Sequence, residues 1–264
     1  MPMLGQMSEK ITPELSPAIP AATLILFDES APGPPLHLML ERSAAMAFMP
    51  GALVFPGGKV ELGDRELARS SRVLNAPADA QDAAARVAAI RETLEEVGVA
   101  VGIRPAPDAP TIIAWRAALK RKAEFALLLG AAHHLDLSVL LPFAHWLPKF
   151  AIPRRFETRF YLARRESDAV AAHDEDEAAH HIWLSAAQAL EDSRAGRHTL
   201  VFPTMANLAR LAAHPGFALA QAHLAVTPLQ LISPAIHNED GVRVLRIPEG
   251  LGYPVTSTIL KRGG

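Results

Sequence analysis

The sequence predicts an α/β or α+β sandwich with a helical C-terminal part. An apolar run at residues 21–27 is typical of a buried strand, an alanine-rich segment at 79–97 is typical of a helix, and residues 156–163 alternate between apolar and polar side chains. Strands and helices mixed in this order usually pack in layers around one core. The chain has 264 residues, half of them hydrophobic, which is enough to bury such a core without disulfides.

Strand and helix signals follow one another through the first half of the chain. The run at 21–27 stops at a turn rich in proline and glycine, and an apolar run at 36–41 follows it, which predicts a hairpin with a long loop. The helix at 79–97 is expected to end at Gly98, because glycine suits the left-handed residue that follows a helix. Further short strands are expected at 53–55 and 99–103.

The second half of the chain adds helices to the strands. Apolar residues at helical spacing predict one helix over 115–129, and the alternation at 156–163 predicts a half-buried strand. Ser185 can accept a hydrogen bond from the next turn, so we expect it to cap a helix at 186–194. The remaining predicted elements are strands at 181–184 and 242–247 and a helix at 203–213.

The composition excludes several kinds of partner and site. A net charge of -2 at pH 7 gives no basic surface for nucleic acid or an anionic membrane, and no apolar run is long enough to span a bilayer. The absence of cysteine excludes disulfides, thiolate zinc sites and cysteine nucleophiles. Because residues 1–20 show no signal-peptide pattern, we expect a cytoplasmic protein with neither a nucleic-acid nor a membrane partner.

An acidic cluster closes the predicted helix at 79–97. Glu92 lies three residues before Glu95 and four before Glu96, so these carboxylates share one helix face. Repulsion between them and the negative end of the helix dipole both oppose this arrangement, and a divalent cation would offset both costs. Oxygen ligands alone favour magnesium, manganese or calcium over zinc. A solvated acidic helix face is the alternative interpretation of this cluster.

A glycine-rich loop precedes the helix and strengthens the metal hypothesis. Residues 55–64 contain Gly57 and Gly58 together with Glu61 and Asp64. Glycines let a backbone approach a ligand or a metal closely. A glycine loop, a helix and an acidic cluster in this order are more specific than any one of them alone, so we expect a metal site here.

The loop and the acidic cluster together resemble the motif of the Nudix hydrolases, G-x5-E-x7-R-E-U-x-E-E-x-G-U, where U is usually apolar. Gly58 and Asp64 stand at the first two fixed positions, and residues 91–99 fit the tail. Asp64 replaces the first glutamate, and 26 residues rather than 7 separate it from Arg91. We interpret the insertion, at about 65–83, as a surface excursion, since such insertions cost little closure entropy.

Residues 38–58 resemble, more narrowly, the coenzyme A diphosphatase branch of that family, whose motif is L-L-T-x-R-S-x3-R-x3-G-x3-F-P-G-G. Arg42, Ser43 and Gly51 match in register, whereas Ala47 replaces the second arginine. This segment and the enlarged Nudix motif together are most similar to the long-box acyl-coenzyme A diphosphatases.

The resemblance implies a fold, a reaction and a cofactor. The fold is the Nudix α/β/α sandwich with a mixed sheet, plus a C-terminal helical extension. The reaction is hydrolysis of a nucleoside diphosphate linked to another moiety, here coenzyme A or acyl-coenzyme A, to 3′,5′-ADP and (acyl-)4′-phosphopantetheine. The cofactor is Mg2+ or Mn2+, which offsets the charge of the phosphoryl transition state. The partner is a small-molecule nucleotide substrate, and the question whether the chain forms a homo-oligomer stays open.

The same resemblance implies roles for individual residues. Arg91 would pair with a carboxylate of the Nudix motif and orient it. Glu92, Glu96 or Glu177 would take the proton from the attacking water. The implied metal ligands are three glutamates, the backbone of two glycines and an outer carboxylate: Glu92, Glu95, Glu96, Gly57, Gly58 and Asp64. The implied substrate contacts are Arg42, Ser43, Arg154 and Arg155.

The implied domain organisation has three parts. They are a lead-in at 1–20, a Nudix domain at 21–195 with the insertion at about 65–83, and a C-terminal extension at 196–264 packed on the same domain. Two other functions stay open. One is hydrolysis of an ADP-sugar, a dinucleotide or NADH. The other is a non-catalytic domain that senses a nucleotide, against which the three retained glutamates argue, because a pure sensor needs no metal cluster.

Overall fold

The computed structural model describes residues 15–42, 51–166 and 181–260. Its helices are α1 (Leu62–Leu67), α2 (Ala80–Val97), α3 (Ala109–Lys120), α4 (Phe125–Leu129), α5 (Ala186–Arg194), α6 (Phe202–Ala213) and α7 (Phe217–Val226). Its strands are β1 (Ala18–Phe27), β2 (Leu36–Glu41), β3 (Leu53–Val54), β4 (Gly57–Lys59), β5 (Val73–Leu74), β6 (Ile103–Arg104), β7 (His134–Asp136), β8 (Leu141–Trp146), β9 (Arg155–Arg164), β10 (His181–Ser185), β11 (Leu231–Ile232), β12 (Ala235–Glu239), β13 (Val242–Arg246) and β14 (Ser257–Ile259).

A mixed sheet in the order β11-β8-β9-β1-β4 lies at the centre of the structure. β1 runs parallel to β9, from Ala18 opposite Arg155 to Phe27 opposite Arg164, and antiparallel to β4. β8 runs antiparallel to β9 and parallel to β11. The α/β class with a mixed sheet is therefore confirmed, and β4, which contains the two glycines of the loop, lies at an edge of this sheet.

Both faces of the central strands are buried, as in a layered α/β fold. In β1, Leu24 and Leu26 join one apolar cluster with residues of α2, while Ile25 and Phe27 join a second cluster with residues of α6 on the opposite face. In β9, all residues from 160 to 163 are buried. The prediction of a half-buried strand is therefore wrong for the C-terminal half of β9, because this strand lies inside the sheet with helices on both sides.

The helix α2 ends where its sequence predicts and begins one residue later than predicted, at Ala80. Asp79 caps it, since its Oδ1 accepts a hydrogen bond of 2.9 Å from the backbone nitrogen of Gln81. Gly98 follows the helix with a φ of 66°, in the left-handed region that favours glycine. Ile90 and Leu94 are fully buried on the side that faces the sheet. Both termini and one face of this helix are thus fixed by local sequence and by packing.

β1 and β2 do not form the predicted hairpin. A single bridge joins Asp28 to Leu36, after which β2 pairs with β10 on one side and β3 on the other, in a separate antiparallel sheet. The prediction was wrong because the local apolar pattern identifies a strand but not the strand edge with which it pairs. Separating β1 from β2 lets β4, rather than β2, pair with β1.

The insertion between Asp64 and the helix α2 belongs partly to the core. Leu67 and Ala68 at its start and Ala83 at its end are buried in the same apolar cluster as α2. Between them, β5 pairs in parallel with β7, which also pairs with β6. The prediction of a surface excursion is therefore wrong at both ends of the insertion, where apolar side chains pack against the main domain.

The single helix predicted over 115–129 is two helices, α3 and α4. α3 begins earlier, after Asp108, whose Oδ1 accepts a hydrogen bond of 2.9 Å from the backbone nitrogen of Thr111. It ends before Arg121, and Lys122 adopts a left-handed φ of 65°, which breaks the helical path. The strand predicted at 99–103 forms only at its last residue, in β6.

The C-terminal part is helical at first and then forms strands. The predicted cap is confirmed, because Oγ of Ser185 accepts from the backbone nitrogen of Gln188 at the start of α5. α6 buries Phe202 and Leu208 in the second apolar cluster. The antiparallel sheet β12-β13-β14 follows, so the extension is not helical throughout. No helix in the described part of the chain is long and apolar enough to cross a membrane.

Candidate functional site

The last turns of α2 lie over the edge strand β4, where two glutamates contact two glycines. The backbone nitrogen of Gly57 donates a hydrogen bond of 2.9 Å to Oε2 of Glu96. Gly58 pairs with Ala22 of β1 and faces α2, and the carboxylate of Glu92 occupies the space that a Cβ on Gly58 would fill. The glycine loop and the acidic cluster predicted from the sequence therefore meet in the structure.

The two glycines are required by close contacts and not by an unusual backbone conformation. A Cβ on Gly58 would overlap the carboxylate of Glu92, and a Cβ on Gly57 would overlap the carbonyl oxygen of Ala22 and approach Thr23. Any side chain at either position would push β4 away from β1 or from α2. The sequence Gly57-Gly58 thus lets the helix carboxylates lie directly on the sheet.

Arg91 connects the glycine loop, the helix and the start of the insertion. Its Nε and Nη2 donate to both carboxylate oxygens of Asp64, at 2.8 and 2.9 Å, and its Nη1 donates to Oε1 of Glu92 at 2.9 Å. Nη2 also donates to the carbonyl oxygen of Lys59 in β4, and the backbone nitrogen of Glu61 donates to Asp64. Arg91 therefore lies against Glu92 as predicted, and Asp64 reaches it across 26 intervening residues.

Glu95 is engaged on the other side of the cluster. Its Oε1 accepts from Nζ of Lys122 at 3.2 Å, and its Oε2 lies 3.5 Å from Nη1 of Arg91. Arg116 of α3 donates to the backbone carbonyl oxygens of Glu95 and Glu96, at 3.2 and 2.8 Å. A buried guanidinium at this helix terminus offsets part of the negative end of the dipole, which would otherwise disfavour three glutamates there.

The electrostatics of the site single out Glu96. Burial, reinforced by the neighbouring charge of Glu92, raises the pKa of Glu96 to about 8, although the hydrogen bond from Gly57 and the charge of Arg42 act in the opposite direction. Burial also raises the pKa of Glu92, against the charge of Arg91. Two carboxylates that resist ionisation side by side form a site that a cation would stabilise.

The donor set available to a metal consists of this carboxylate pair. Among residues 15–42, 51–166 and 181–260, no three acidic or histidine side chains are close enough together to ligate one ion. Glu92 and Glu96 face the glycine turn, and Glu92 also accepts one hydrogen bond from Arg91. Glu95 is paired with Lys122, and both oxygens of Asp64 are paired with Arg91. The pair provides carboxylate oxygens, which suit magnesium or manganese.

The other predicted site residues lie at different distances from this pair. Arg42 directly follows β2, and its charge acts on Glu96. Arg154 is exposed, and Arg155 donates to the carbonyl oxygens of Ser16 and Pro148 near the start of β1. Ser43 and Glu177 lie outside the described residues. Of the predicted substrate contacts, Arg42 is thus the one that the described structure brings towards the carboxylates.

Sequence reasoning missed Arg116 and Lys122 as parts of the site. Both belong to the polar face of the helix predicted over 115–129, and nothing local distinguishes them from solvated surface charges. Their role depends on the packing of α3 against α2 and on the left-handed turn at Lys122. Thr93, at a usually apolar motif position, is explained locally, because its Oγ1 donates to the carbonyl oxygen of Ala89 at 2.7 Å.

Comparison with known proteins gives a family and several relatives. A family model described as NUDT19 Nudix domain matches residues 66–211. The chain is 29% identical over 229 residues to the Gallus gallus protein named acyl-coenzyme A diphosphatase NUDT19, covering 66% of this chain and 60% of that protein. It is 27% identical over 226 residues to the Homo sapiens protein of the same name, with the same coverage. The matches span 55% to 60% of the length of the curated relatives.

A solved structure supports the same grouping. The crystal structure of a NUDIX hydrolase from Alicyclobacillus acidocaldarius is 28% identical in sequence, with a TM-score of 0.67, and the match covers 81% of this chain and 100% of that one. The range matched by the family model contains α2 with its glutamates, whereas Gly57, Gly58 and Asp64 precede its first residue.

Proposed function

The chain belongs to the NUDT19 Nudix domain family and is a Nudix hydrolase, and from that premise we propose that it cleaves the diphosphate of coenzyme A or acyl-coenzyme A. Water would attack the diphosphate and release 3′,5′-ADP and (acyl-)4′-phosphopantetheine. The observation that carries the reaction type is the pair Glu92 and Glu96, held on the Gly57-Gly58 turn. The substrate comes from the names of the relatives.

We propose Glu92 and Glu96 as the ligands of a divalent cation, Mg2+ or Mn2+. The residues present fit such an ion, because two carboxylates with raised pKa values share a site in which each disfavours the charge of the other. The bound ion would offset the charge that develops on the diphosphate.

Positioning is the role proposed for the residues around the pair. Arg91 holds Glu92 through Nη1 and is itself held by Asp64 and the carbonyl oxygen of Lys59. The backbone nitrogen of Gly57 fixes Glu96. A carboxylate that a hydrogen bond already orients loses less further entropy when it binds an ion, which favours binding.

Arg42 is the residue proposed to contact the substrate. It lies at the end of β2, and its charge already acts on Glu96, so a phosphate next to the cation would be within its field. A guanidinium can donate two parallel hydrogen bonds to a phosphate group. Ala47 in place of the second arginine of the related motif removes one such contact, and therefore a modest preference for the 3′-phosphate of coenzyme A is expected.

A substrate panel with the whole chain tests the proposal. Release of the adenine nucleotide would be measured with Mg2+, as 3′,5′-ADP from coenzyme A and as AMP from dephospho-coenzyme A, ADP-ribose and NADH. The proposal predicts the highest kcat/KM for coenzyme A or an acyl-coenzyme A, with a preference over dephospho-coenzyme A of roughly 10-fold from one charge-assisted contact. Faster cleavage of ADP-ribose or NADH would show that one of these, and not coenzyme A, is the preferred substrate. If no diphosphate were cleaved, the result would favour a domain that only senses a nucleotide.

Matched variants separate the site from the fold. Glu96→Gln keeps the size of the side chain and removes a charge that burial disfavours, so it should fold at least as well as the wild type. Its turnover should fall by several orders of magnitude, on the scale of lost metal-assisted stabilisation. Glu191→Gln on the exposed face of α5 is the control and should keep full activity. Near-normal turnover of Glu96→Gln would contradict the assignment of the pair.

A further inference from the structure

A cavity of about 670 Å3 opens at the end of the central sheet, away from the carboxylate pair. We call it the sheet-end cavity. Its lining includes Ile103, Ile112, Arg104, Arg164, Phe217 and Gln221. This volume is in the range of sites that bind small organic ligands.

The sheet-end cavity is separate from the candidate active site. On β1, Thr23 lies opposite Gly57 of β4, and Phe27, four residues further along, lies opposite Arg164 of β9. At about 3.3 Å per residue along a strand and about 4.8 Å between strands, Gly57 and Arg164 are roughly 16 Å apart. The Arg164 end of the cavity is therefore well beyond contact distance of Gly57, whose backbone nitrogen donates to Glu96.

The apolar wall of the cavity comes from both layers of the fold. Ile103 of β6 and Ile112 of α3 are buried in the cluster that contains α2. Phe217, the first residue of α7, packs against the opposite cluster. Residues that pack with both apolar clusters thus line the cavity, and it offers apolar surface on two sides of a chain-like ligand.

Three arginines and one glutamate line this wall, and the arginines differ in how closely a carboxylate pairs with them. Arg104 is neutralised by Glu166, which accepts from its Nη1 and Nη2 at 2.6 and 2.8 Å, and Arg165 pairs with Asp28. Arg164 differs, because its nearest carboxylate, Glu29, lies 3.5 Å away and also accepts from the backbone nitrogen of Phe217.

Arg164 is placed to receive an anion beside the apolar wall. Its guanidinium lies over the ring of Phe217, with 4.7 Å between the guanidinium carbon and the ring centroid, and its side chain is 56% exposed. Stacking on an aromatic ring orients a guanidinium and leaves its edge for a carboxylate. A cation at the mouth and apolar side chains behind it are complementary to a molecule with an anionic head and an apolar chain.

We propose that the sheet-end cavity binds an amphipathic carboxylate, with the head group on Arg164 and the chain between Ile103, Ile112 and Phe217. Gln221 lies one helical turn after Phe217 on α7 and also lines the cavity, so its amide can donate to the same head group. The ligand would join α7 of the C-terminal extension to α3, which contacts the helix of the active site.

Calorimetric titration of the whole chain with decanoate tests this binding. Arg164→Gln should weaken the binding of decanoate by about 10-fold to 100-fold, the range for one charge-assisted contact. Arg194→Gln, an exposed arginine in the last turn of α5, is the matched control and should bind like the wild type. No heat of binding in the wild type, or equal affinities in the two variants, would overturn the proposal.

A second pair of variants locates the ligand. Gln221→Trp would fill the mouth of the cavity from an exposed helical position, whereas Ala222→Trp, the next residue of α7, adds the same side chain outside the lining. We expect decanoate to bind to Ala222→Trp but not to Gln221→Trp. Binding that survives in Gln221→Trp would place the ligand elsewhere, such as the active site, and would overturn the proposal.

Two further probes separate the head group from the chain. The proposal predicts that decan-1-ol and inorganic phosphate each bind at least about 10-fold more weakly than decanoate, because each lacks one half of the recognition. Equal binding of decan-1-ol would refute the role of Arg164, and equal binding of phosphate would refute the role of the apolar wall. Coenzyme A hydrolysis by all these variants reports on the active site separately, so either proposal can fail alone.

Discussion

Replacement of Asp64 by asparagine measures what the buried ion pair with Arg91 contributes to folding. The two side chains are 2% and 7% exposed, and Arg91 donates to both carboxylate oxygens. Removing one charge of a buried pair typically costs about 3–5 kcal/mol, because the other charge stays buried. Arg91 keeps its bonds to Glu92 and to the carbonyl oxygen of Lys59, so we expect the lower end, about 3 kcal/mol.

The assay is urea unfolding followed by circular dichroism, together with the thermal midpoint. A loss of about 3 kcal/mol should lower Tm by roughly 6–12 °C. Glu239→Gln is the matched control, because it breaks a pair of the same two-bond form with Arg246, in which both side chains are 41% exposed. Exposed pairs contribute little, so this control should unfold almost like the wild type. Equal losses in the two variants, or a loss in neither, would refute the conclusion that burial sets the cost.

The remaining predictions concern the glycine turn, the insertion and a buried histidine. Gly58→Ala should lower turnover by roughly 100-fold, because the added Cβ would displace Glu92. Gly63→Ala, whose Cβ would meet nothing within 4 Å, should leave turnover unchanged. Similar turnover in the two variants would contradict a role for the contact between Gly58 and Glu92. Deletion of residues 70–78, which removes β5, should lower Tm because β7 loses a partner, and an unchanged Tm would restore the surface-excursion interpretation. Between pH 6.5 and 4 the wild type should lose about 3 kcal/mol more stability than His37→Gln, since burial lowers the pKa of His37 to about 4 and the unfolded chain binds a proton that the folded chain excludes; a difference in stability between the two proteins that does not change with pH would contradict this account.

Local signals predicted the elements of the site well. The alanine-rich run, the glycine at 98 and the spacing of the three glutamates are properties of neighbouring residues, and the structure has the helix that they predict. The contact between Arg91 and Asp64 was also predictable, because the family motif implies it even when its spacing is enlarged. The fold class and the helix that carries the three glutamates therefore follow from short-range sequence patterns.

Long-range contacts were not predictable in the same way. β1 and β2 are both strands, yet each pairs in a different sheet, since partner choice depends on packing of the whole chain. Lys122 interrupts a regular apolar pattern by a left-handed turn and thereby reaches Glu95. The burial of Leu67 in the insertion likewise depends on neighbours far away in sequence. In each case the residue type permits several environments, and tertiary packing selects one.

Binding of Mn2+ to the Glu92–Glu96 pair is the most direct measurement of whether this helix end is a metal centre. Electron paramagnetic resonance of free Mn2+ in a titration with the whole chain gives the affinity without any substrate. We predict that Glu92→Gln and Glu96→Gln each weaken the binding of Mn2+ at least about 10-fold, by removing a charged ligand from the site. Glu191→Gln should bind Mn2+ like the wild type. Equal Mn2+ affinity in all four proteins would contradict the assignment of the carboxylate pair as the metal centre.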